Sequence, residues 1–232
     1  MKAQLKSILQ AAVRRVAPAR AQANPAPISR VFGLERGQPI DRYYIEKFIA
    51  ANRDCLHGVA LEIAEPRYTQ VYREQLEKIE ILHVSPGTKG ATIIGDLARS
   101  SELPSEIADC FICTQTYQFI YDVAAAVRGS ARLLRPGGTL LATFSGIAQV
   151  SRYDMDRWGE FWRFTDASVR RLMQEAFPPE AIEVVSYGNV LAAKALLDGL
   201  SVEDIEQRNW LDVTDADYPV IVGARARKAL SA

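Results

Sequence analysis

Histidine and cysteine are scarce in this sequence of 232 residues, which contains two histidines and three cysteines. An odd number of cysteines in a chain of this length does not indicate a disulfide framework, so a reducing, cytoplasmic location is expected. Cys110 and Cys113 have CxxC spacing but lie in an apolar run with strand character, where residues three apart point to opposite faces. The sequence has no second Cys/His pair, so no metal site is predicted.

Long hydrophobic runs are also missing. No stretch approaches the roughly 18 consecutive apolar residues of a membrane span, and the basic start of the chain is not followed by the apolar core of a secretory signal. The composition is otherwise ordinary, with 48% hydrophobic and 24% charged residues. These values are typical of a soluble globular protein and exclude a mainly disordered, collagen-like or coiled-coil chain.

Net charge is absent as well, because 28 basic residues balance 28 acidic ones. A balanced chain lacks the electrostatic footprint of a nucleic-acid-binding protein, so no nucleic-acid partner is expected. The two signs are nevertheless separated along the sequence. Residues 1–30 contain basic residues and no acid, whereas residues 203–217 are rich in acids and contain one base, Arg208.

The basic N-terminus carries one apolar stripe at helical spacing, formed by Leu5, Ile8, Leu9, Ala12, Val13 and Val16. This pattern predicts a helix over residues 4–17 that ends before Pro18. Such a helix either docks on its own domain or contacts a membrane surface or a partner protein; an organellar transit peptide is a further alternative. Residues 18–39 are rich in Pro, Ala and Gly and indicate a linker or a wrapped arm. Two regions are therefore expected, an arm over residues 1–38 and a globular domain over residues 39–232.

Short apolar runs alternate with helical stretches through the globular region. Strands are predicted over residues 59–63, 79–84, 91–95, 110–114, 139–144, 182–187 and 219–227, and helices over residues 66–78, 117–134 and 165–177, besides one after Asp41. This alternation predicts an α/β fold with a mostly parallel sheet and helices on both faces. Ligands of such sheets bind beyond the carboxyl ends of the strands, so the residues after each strand are the candidate site.

The order of four segments resembles the successive motifs of class I S-adenosylmethionine-dependent methyltransferases. These segments are Leu61–Ile63, Gly95–Leu97 with Leu103-Pro104 behind it, Ala108–Ile112 and Leu134–Leu141. The similarity spans roughly residues 40–227. Two further segments, Arg36–Tyr44 and Ser151–Trp158, resemble a bacterial subgroup often found beside glycosyltransferases. The resemblance implies a Rossmann-like sheet of seven strands, the last antiparallel and inserted between the fifth and the sixth.

The resemblance also implies S-adenosylmethionine as the cofactor and indicates which residues contact it. Glu62 and Ala64 correspond to the acid and the glycine-rich turn after the first strand, although the family's glycines are missing here. Asp96 and Leu97 match the positions that bind the adenine. The remaining predicted cofactor contacts are Tyr44, His83 at the ribose position, Thr114 and Gln115.

Residues 151–165 are the densest candidate site, because aromatic side chains alternate there with Asp and Arg. Relatives use this connection to cover the acceptor, and such a mixture suits a sugar-like molecule. The predicted acceptor-binding residues are Arg152, Tyr153, Trp158 and Trp162. Asp154 is the candidate general base, with Asp156 behind it.

Together these features predict an S-adenosylmethionine-dependent methyltransferase that methylates oxygen on a sugar, a glycan or a small metabolite. The alternative is a degenerate methyltransferase fold that serves as a binding or scaffold subunit, which the missing glycines and His83 favour. A nicotinamide-dependent oxidoreductase is disfavoured because no GxGxxG motif follows the first strand.

Overall fold

The computed structural model describes residues 25–230 of the protein, so the helix predicted over residues 4–17 lies outside the described part. The described residues form one seven-stranded sheet with the order β3-β2-β1-β4-β5-β7-β6. Its strands are β1 (Gly58–Ile63), β2 (Leu76–His83), β3 (Ile93–Ile94), β4 (Ala108–Thr114), β5 (Leu134–Ser145), β6 (Ile182–Tyr187) and β7 (Ile221–Arg227). β7 pairs antiparallel with both β5 and β6, whereas β1 to β5 pair in parallel. This topology confirms the predicted fold class.

Helices cover both faces of the sheet. They are α1 (Ile40–Ala51), α2 (Val123–Leu133), α3 (Arg152–Trp158), α4 (Asp166–Met173) and α5 (Val190–Asp198). The buried residues of α2 and α4 belong to one apolar core, and those of α1 and α5 belong to another. The sheet therefore lies between two separate cores, as a doubly covered sheet requires.

Alternation along β4 shows how the sequence builds these two cores. Phe111 and Cys113 lie in the core under α2, whereas Cys110 and Ile112 lie in the core under α1. The two cysteines therefore point to opposite faces, as the strand pattern predicts. Both are buried free thiols, and burial raises the pKa of each.

The prediction of a helix over residues 66–78 was wrong. This segment consists of turns and a short 3₁₀ helix at Arg73–Gln75, and β2 begins at Leu76. The N–H groups of Val71, Tyr72 and Gln75 bond to carbonyls three residues back, as in turns and 3₁₀ helices, and the residues from Leu76 onward pair with β1 instead of continuing a helix. Helices α3 and α5 were not predicted.

The predicted helix over residues 117–134 is divided into two parts. A 3₁₀ turn over Tyr117–Phe119 comes first, and α2 starts only at Val123. The side chain of Asp122 caps α2 by accepting the N–H of Ala125 at 2.9 Å, which fixes the start of the helix. The residues between the two parts are thereby left at the edge of the sheet, near the candidate site.

The described part of the N-terminal arm packs against the end of α5 and the turn that follows it. The backbone N–H groups of Ile28 and Ser29 donate to the carbonyl of Asp198 at 2.9 and 3.1 Å. Arg36 makes a two-pronged contact with Asp204, through Nε at 2.8 Å and Nη2 at 2.6 Å. These bonds position residues 30–34 beside the sheet. Over residues 25–230, no helix has the length and apolar character needed to cross a membrane.

Candidate functional site

A cavity of about 1000 Å³ opens at the carboxyl ends of the central strands. Residues that end or follow β1 to β5 line it, including Glu62, Ala64, His83, Asp96, Leu97, Thr114, Gln115 and Ser145. The position agrees with the edge of an open α/β sheet at which ligands bind. The cavity is thus built by the strand ends rather than by any single loop.

Glu62 ends β1 and is 2% exposed. Its Oε2 accepts the N–H of Thr69 at 2.8 Å and the Thr69 hydroxyl at 2.6 Å, and its Oε1 accepts the N–H of Tyr68 at 2.9 Å. Burial raises the pKa of Glu62, and these hydrogen bonds oppose that shift. The carboxylate thus shapes the loop of residues 64–69, which lines the cavity together with it.

Ala64 takes a backbone conformation that favours glycine. Its φ is 67°, and its N–H donates to the carbonyl of Leu82 at 2.9 Å, which joins the loop to β2. Non-glycine residues enter this left-handed region at a cost of about 1–2 kcal/mol. The family's glycine is therefore missing from the sequence, while the backbone conformation that a glycine there would favour is present.

His83 ends β2, and its ring is oriented by its own loop. Nδ1 accepts the N–H of Ser85 at 2.9 Å and lies 3.0 Å from the hydroxyl of Thr88. Because Nδ1 is an acceptor in this arrangement, the neutral ring carries its proton on Nε2. His83 therefore offers a single N–H donor at the predicted ribose position, where a carboxylate would offer two acceptors.

Asp96 and Leu97 follow β3 and line the cavity. Oδ1 of Asp96 accepts the N–H of Ala98 at 2.8 Å, forming an Asx turn. Oδ2 lies 3.8 Å from Nε of Arg99. The hydrogen bond to Oδ1 consequently holds the Asp96 carboxylate in place in the cavity wall.

The residues after β4 form the floor of the cavity. Gln115 has a φ of 48°, and its N–H donates to the carbonyl of Thr143 at 3.0 Å. Left-handed non-glycine residues cluster at functional sites, where the surrounding structure compensates the strain. Thr114, Thr116 and Gln118 line the same floor. Gln118 was not predicted, and nothing in its residue type alone distinguishes it from a surface glutamine.

α3 presents the predicted acceptor-binding residues from the other side of the cavity. Arg152, Tyr153, Asp154 and Trp158 line it, whereas Asp156 does not. Oδ2 of Asp154 accepts the hydroxyl of Ser151 at 2.6 Å, and Oγ of Ser151 in turn accepts the backbone N–H of Asp154, which caps the start of α3. Asp156 is instead exposed and pairs with Arg152 at 3.3 Å along the helix. The structure therefore brings Asp154, but not Asp156, to the cavity.

Aromatic rings border the acceptor side of the cavity. Tyr121 and Phe161, which both line it, meet edge to face with ring centroids 5.4 Å apart. Trp162 does not line the cavity. Its Nε1 donates to the carbonyl of Ile120 at 3.2 Å, and its ring lies 5.8 Å from that of Tyr121. Trp162 therefore supports the Tyr121 ring rather than facing the cavity itself.

Glu160 is a buried carboxylate that the sequence patterns did not single out. Its side chain is 4% exposed and pairs with Nη1 of Arg163 at 2.6 Å, and Oε2 accepts the N–H of Ser151 at 2.8 Å. Arg163 also donates to the carbonyl of Gln149 at 2.8 Å. The pair thereby holds both ends of the segment that carries α3. Alternation of acids and bases in this segment is the signal that could have identified it.

Tyr44 lies outside the cavity, in the apolar core. It is 1% exposed, and its hydroxyl donates to the carbonyl of Leu211 at 2.9 Å. Burial raises the pKa of its hydroxyl to a value well above the usual one. Nearby residues of α1, Asp41 and Arg42, line the cavity instead. Burial raises the pKa of Asp41, while the N–H of Arg42 opposes that shift.

The described arm completes the wall of the cavity. Arg30, Val31, Phe32 and Leu34 line it beside Asp41 and Arg42 of α1. Ser29 holds this segment in a turn, because its Oγ accepts the N–H groups of Val31 and Gly33 at 3.2 Å each. The sequence predicted a linker or a wrapped arm here and gave no sign that these residues line a cavity.

Comparisons with known proteins agree with this geometry. Residues 54–142 match the family model described as a methyltransferase domain. The search of curated proteins gave no match.

Three solved structures illustrate the likeness in fold. The N-methyltransferase NodS of Bradyrhizobium japonicum WM9, in complex with S-adenosyl-L-homocysteine, is 16% identical, with a TM-score of 0.53 over 86% of this chain and 93% of that chain. A possible histamine N-methyltransferase of Thermotoga maritima is 16% identical, with a TM-score of 0.53 over 82% of this chain and 91% of that chain. The [4+2]-cyclase SpnF is also 16% identical, with a TM-score of 0.52 over 98% of this chain and 95% of that chain. The chain thus has the class I methyltransferase fold, and its residues 54–142 match a methyltransferase domain.

Proposed function

We propose that the protein is an S-adenosylmethionine-dependent methyltransferase that methylates oxygen on a sugar, a glycan or a small metabolite. The observation that carries this proposal is a cavity at the carboxyl ends of β1 to β5 that is lined both by predicted cofactor residues, such as Asp96 and Leu97, and by residues of α3. A cavity of about 1000 Å³ lies at the upper end of the range for ligand sites. It can therefore take a nucleoside cofactor together with a small acceptor.

The residues of the cavity fit S-adenosylmethionine. Asp96 and Leu97 offer a carboxylate and a backbone amide for the adenine, and His83 offers its Nε2–H for the ribose. Ala64 keeps a left-handed turn with a φ of 67° after β1 and adds only a methyl group to the space that a glycine would leave open. Asp41 and Arg42 supply charges of both signs for the amino and carboxylate groups of the methionine part.

Methyl transfer asks the protein mainly for alignment and for exclusion of water. S-adenosylmethionine supplies the methyl group on a positively charged sulfur. The walls formed by the arm and by α3 enclose the acceptor beside the floor residues Thr114 and Gln115. Asp154 takes the proton of the acceptor hydroxyl while the acceptor oxygen gains the methyl group. The Ser151 hydroxyl, 2.6 Å from Oδ2 of Asp154, orients this carboxylate.

Transfer of an isotopically labelled methyl group tests this proposal. The full chain is incubated with labelled S-adenosylmethionine and separate pools of monosaccharides, oligosaccharides and small phenols, and products are detected by mass spectrometry. We expect a labelled methyl ether in one pool, and we expect Asp154→Asn to lower its rate about 100-fold, as removal of a general base does. Asp156→Asn, outside the cavity, is the matched control and should retain the rate.

A non-catalytic binding protein is the second candidate. The loop after β1 supports it, because Ala64, Glu65 and Pro66 replace a glycine-rich turn. One neighbour of the same fold is named as a [4+2]-cyclase, so an assay has to detect the transferred methyl group itself. Cofactor binding without a labelled product from any pool would favour this second candidate.

A further inference from the structure

Trp158 is the last residue of α3 and brings this helix to the end of β2. Its indole ring meets the imidazole ring of His83 edge to face, with the ring centroids 6.4 Å apart and the ring planes at 72°. Both residues line the cavity. Trp158 is 44% exposed, and within residues 25–230 no other aromatic ring packs on it. A ligand in the cavity can therefore reach the open part of the indole ring.

The chain runs from Trp158 towards β4. Gly159 follows with a φ of 81°, and Phe161 donates its backbone N–H to the carbonyl of Gln118, in the turn after β4, at 2.8 Å. Because β1 lies between β2 and β4 in the sheet, residues 158–161 cross the end of β1. The distance to be crossed is two strand spacings, about 10 Å, and three extended residues reach about as far.

The expected course of the cofactor passes beneath this crossing. Asp96 and Leu97, after β3, are the candidate adenine contacts, and Ala64, after β1, marks the turn beside the methionine part. β2 lies between β1 and β3, so a molecule that joins these points crosses the end of β2, where His83 lies. The ribose connects the adenine to the methionine part and is thus the group beside His83. The Trp158 ring lies next to the same imidazole.

We propose that Trp158 belongs to the cofactor site rather than to the acceptor site, and that its indole ring packs on the ribose of S-adenosylmethionine beside His83. An aromatic ring suits this position because it supplies a large apolar contact area in a ligand site. Residues 158–161 then form a cover over the bound cofactor. The inference rests on the proposed function.

This contact links the cofactor to the candidate base. Asp154 lies four residues before Trp158 and hence on the same face of α3. Both residues line the cavity, whereas Asp156 does not. No residue of α3 is buried, so the helix has little packing of its own to hold it against the sheet. A cofactor that packs on Trp158 therefore also holds Asp154 in place, and Trp158 is a positioning residue for the reaction.

Tryptophan fluorescence tests this contact, because the emission of an exposed indole changes when a ligand covers it. Of the three tryptophans of the sequence, Trp158 lines the cavity, whereas Trp162 and Trp210 do not. The full chain is titrated with S-adenosylhomocysteine, and the Kd is measured in parallel by calorimetry. We expect an emission change that saturates at the calorimetric Kd and is lost in Trp158→Phe. Trp210→Phe is the matched control and should retain the change, and a change that persists in Trp158→Phe would overturn the proposal.

The affinity for S-adenosylhomocysteine gives a second, independent measurement. Trp158→Ala removes the ring and should raise the Kd about tenfold, while Trp158→Phe keeps an aromatic ring and should stay within about threefold of wild type. Trp210→Ala should leave the Kd unchanged. An unchanged Kd in Trp158→Ala would place the ring on the acceptor side and overturn the proposal.

Calorimetry of the wild-type chain separates failure of this inference from failure of the proposed function. No binding of S-adenosylhomocysteine at millimolar concentration would contradict both. Binding without an emission change in wild type would overturn the role of Trp158 alone and leave the proposed function standing. If Trp158→Ala fails to fold, the emission of wild type, Trp158→Phe and Trp210→Phe still decides the question.

Discussion

Ala64 and Glu62 show, at the scale of single residues, how a loop without glycines keeps the form of a cofactor turn. Ala64 has a left-handed φ of 67°, and the buried carboxylate of Glu62 accepts the N–H groups of Tyr68 and Thr69 in the same loop. Strain at one residue is thus compensated by hydrogen bonds at the other. The sequence identified both residues, but the carboxylate's inward role could not be predicted because it depends on the path of residues 66–69.

The backbone strain at Ala64 predicts that a glycine at this position makes the protein more stable. Ala64→Gly should raise the free energy of unfolding by about 0.5–1 kcal/mol, because removal of the left-handed strain outweighs the added freedom of the unfolded chain. Ala50→Gly, at an exposed position of α1, should lower it by about 1 kcal/mol. Urea denaturation of both variants measures the difference, and a loss of stability in Ala64→Gly would contradict the strain.

The hydrogen bonds of Glu62 predict a large effect from a small change. Glu62→Gln replaces one carboxylate oxygen by a donor that opposes the N–H groups of the loop, so the free energy of unfolding should fall by about 2 kcal/mol. Binding of S-adenosylhomocysteine should weaken as well, because the loop lines the cavity. Glu65→Gln, in the same loop but with a side chain 68% exposed, should change stability by less than about 0.5 kcal/mol. An equal loss of unfolding free energy in both variants would show that the hydrogen bonds of Glu62 do not stabilise the loop.

Individual elements differed in how far the sequence predicted them. β6 agrees with its expected bounds because a β-branched run ends in a turn. β4 ends at Thr114 as expected but starts at Ala108, two residues before the expected start. The helix expected over residues 66–78 does not form because residues 68–75 make turns with bonds three residues apart and Leu76 and Lys78 pair with β1. α3 escaped prediction because six of its seven residues are charged or aromatic and none is buried. Side-chain capping by Ser151, rather than an apolar face, starts this helix.

The segment that carries α3 depends on Arg163. Arg163→Lys loses the planar fork that pairs with Glu160 and donates to the carbonyls of Gln149 and Trp162 at 2.8 and 2.9 Å. We expect faster amide hydrogen exchange confined to residues 148–163. Arg171→Lys, on the exposed side of α4, is the control and should leave exchange there unchanged. Identical exchange rates over residues 148–163 in Arg163→Lys and in wild type would show that the Glu160–Arg163 pair does not hold this segment.

At the scale of the whole molecule, residues 36 and 38, which follow the basic stretch of residues 1–30, contact the acidic segment of residues 203–217. Arg36 of the arm pairs with Asp204 at 2.6 Å, and the N–H of Gln38 donates to Glu203 at 2.8 Å. The described arm thus lies on the acidic segment and lines the cavity at the same time. The composition of residues 18–39 predicted a linker or a wrapped arm, and the contribution of Phe32 and Leu34 to the cavity could not be foreseen from it.

This contact predicts a dependence of stability on pH. The Arg36 guanidinium and the Ser201 N–H hold the pKa of Asp204 well below its usual range. An acid whose pKa is lower in the folded state stabilises the fold above its unfolded pKa of about 4, and this contribution is lost as the pH falls further. Asp204→Asn should therefore lose less stability than wild type between pH 6 and pH 3, while Asp217→Asn behaves like wild type. If the stability of Asp204→Asn falls with pH as steeply as that of wild type, Asp204 is not the source of the pH dependence.

Truncation tests the same contact from the chain end. Deletion of residues 1–38 removes both the bonds to α5 and the arm wall of the cavity, so we expect a lower melting temperature and weaker cofactor binding. Deletion of residues 1–24 leaves these contacts in place and should preserve both properties. If this shorter deletion abolishes sedimentation with membranes or a protein partner while leaving stability unchanged, residues 4–17 contact that membrane or partner rather than their own domain.

Calorimetric titration of the full chain with S-adenosylhomocysteine tests the central claim most directly. If the strand-end cavity is a methyltransferase cofactor site, one saturable binding event should appear with a Kd of about 1–100 µM. Asp96→Ala should weaken it at least tenfold. Absence of binding at millimolar ligand would contradict the account.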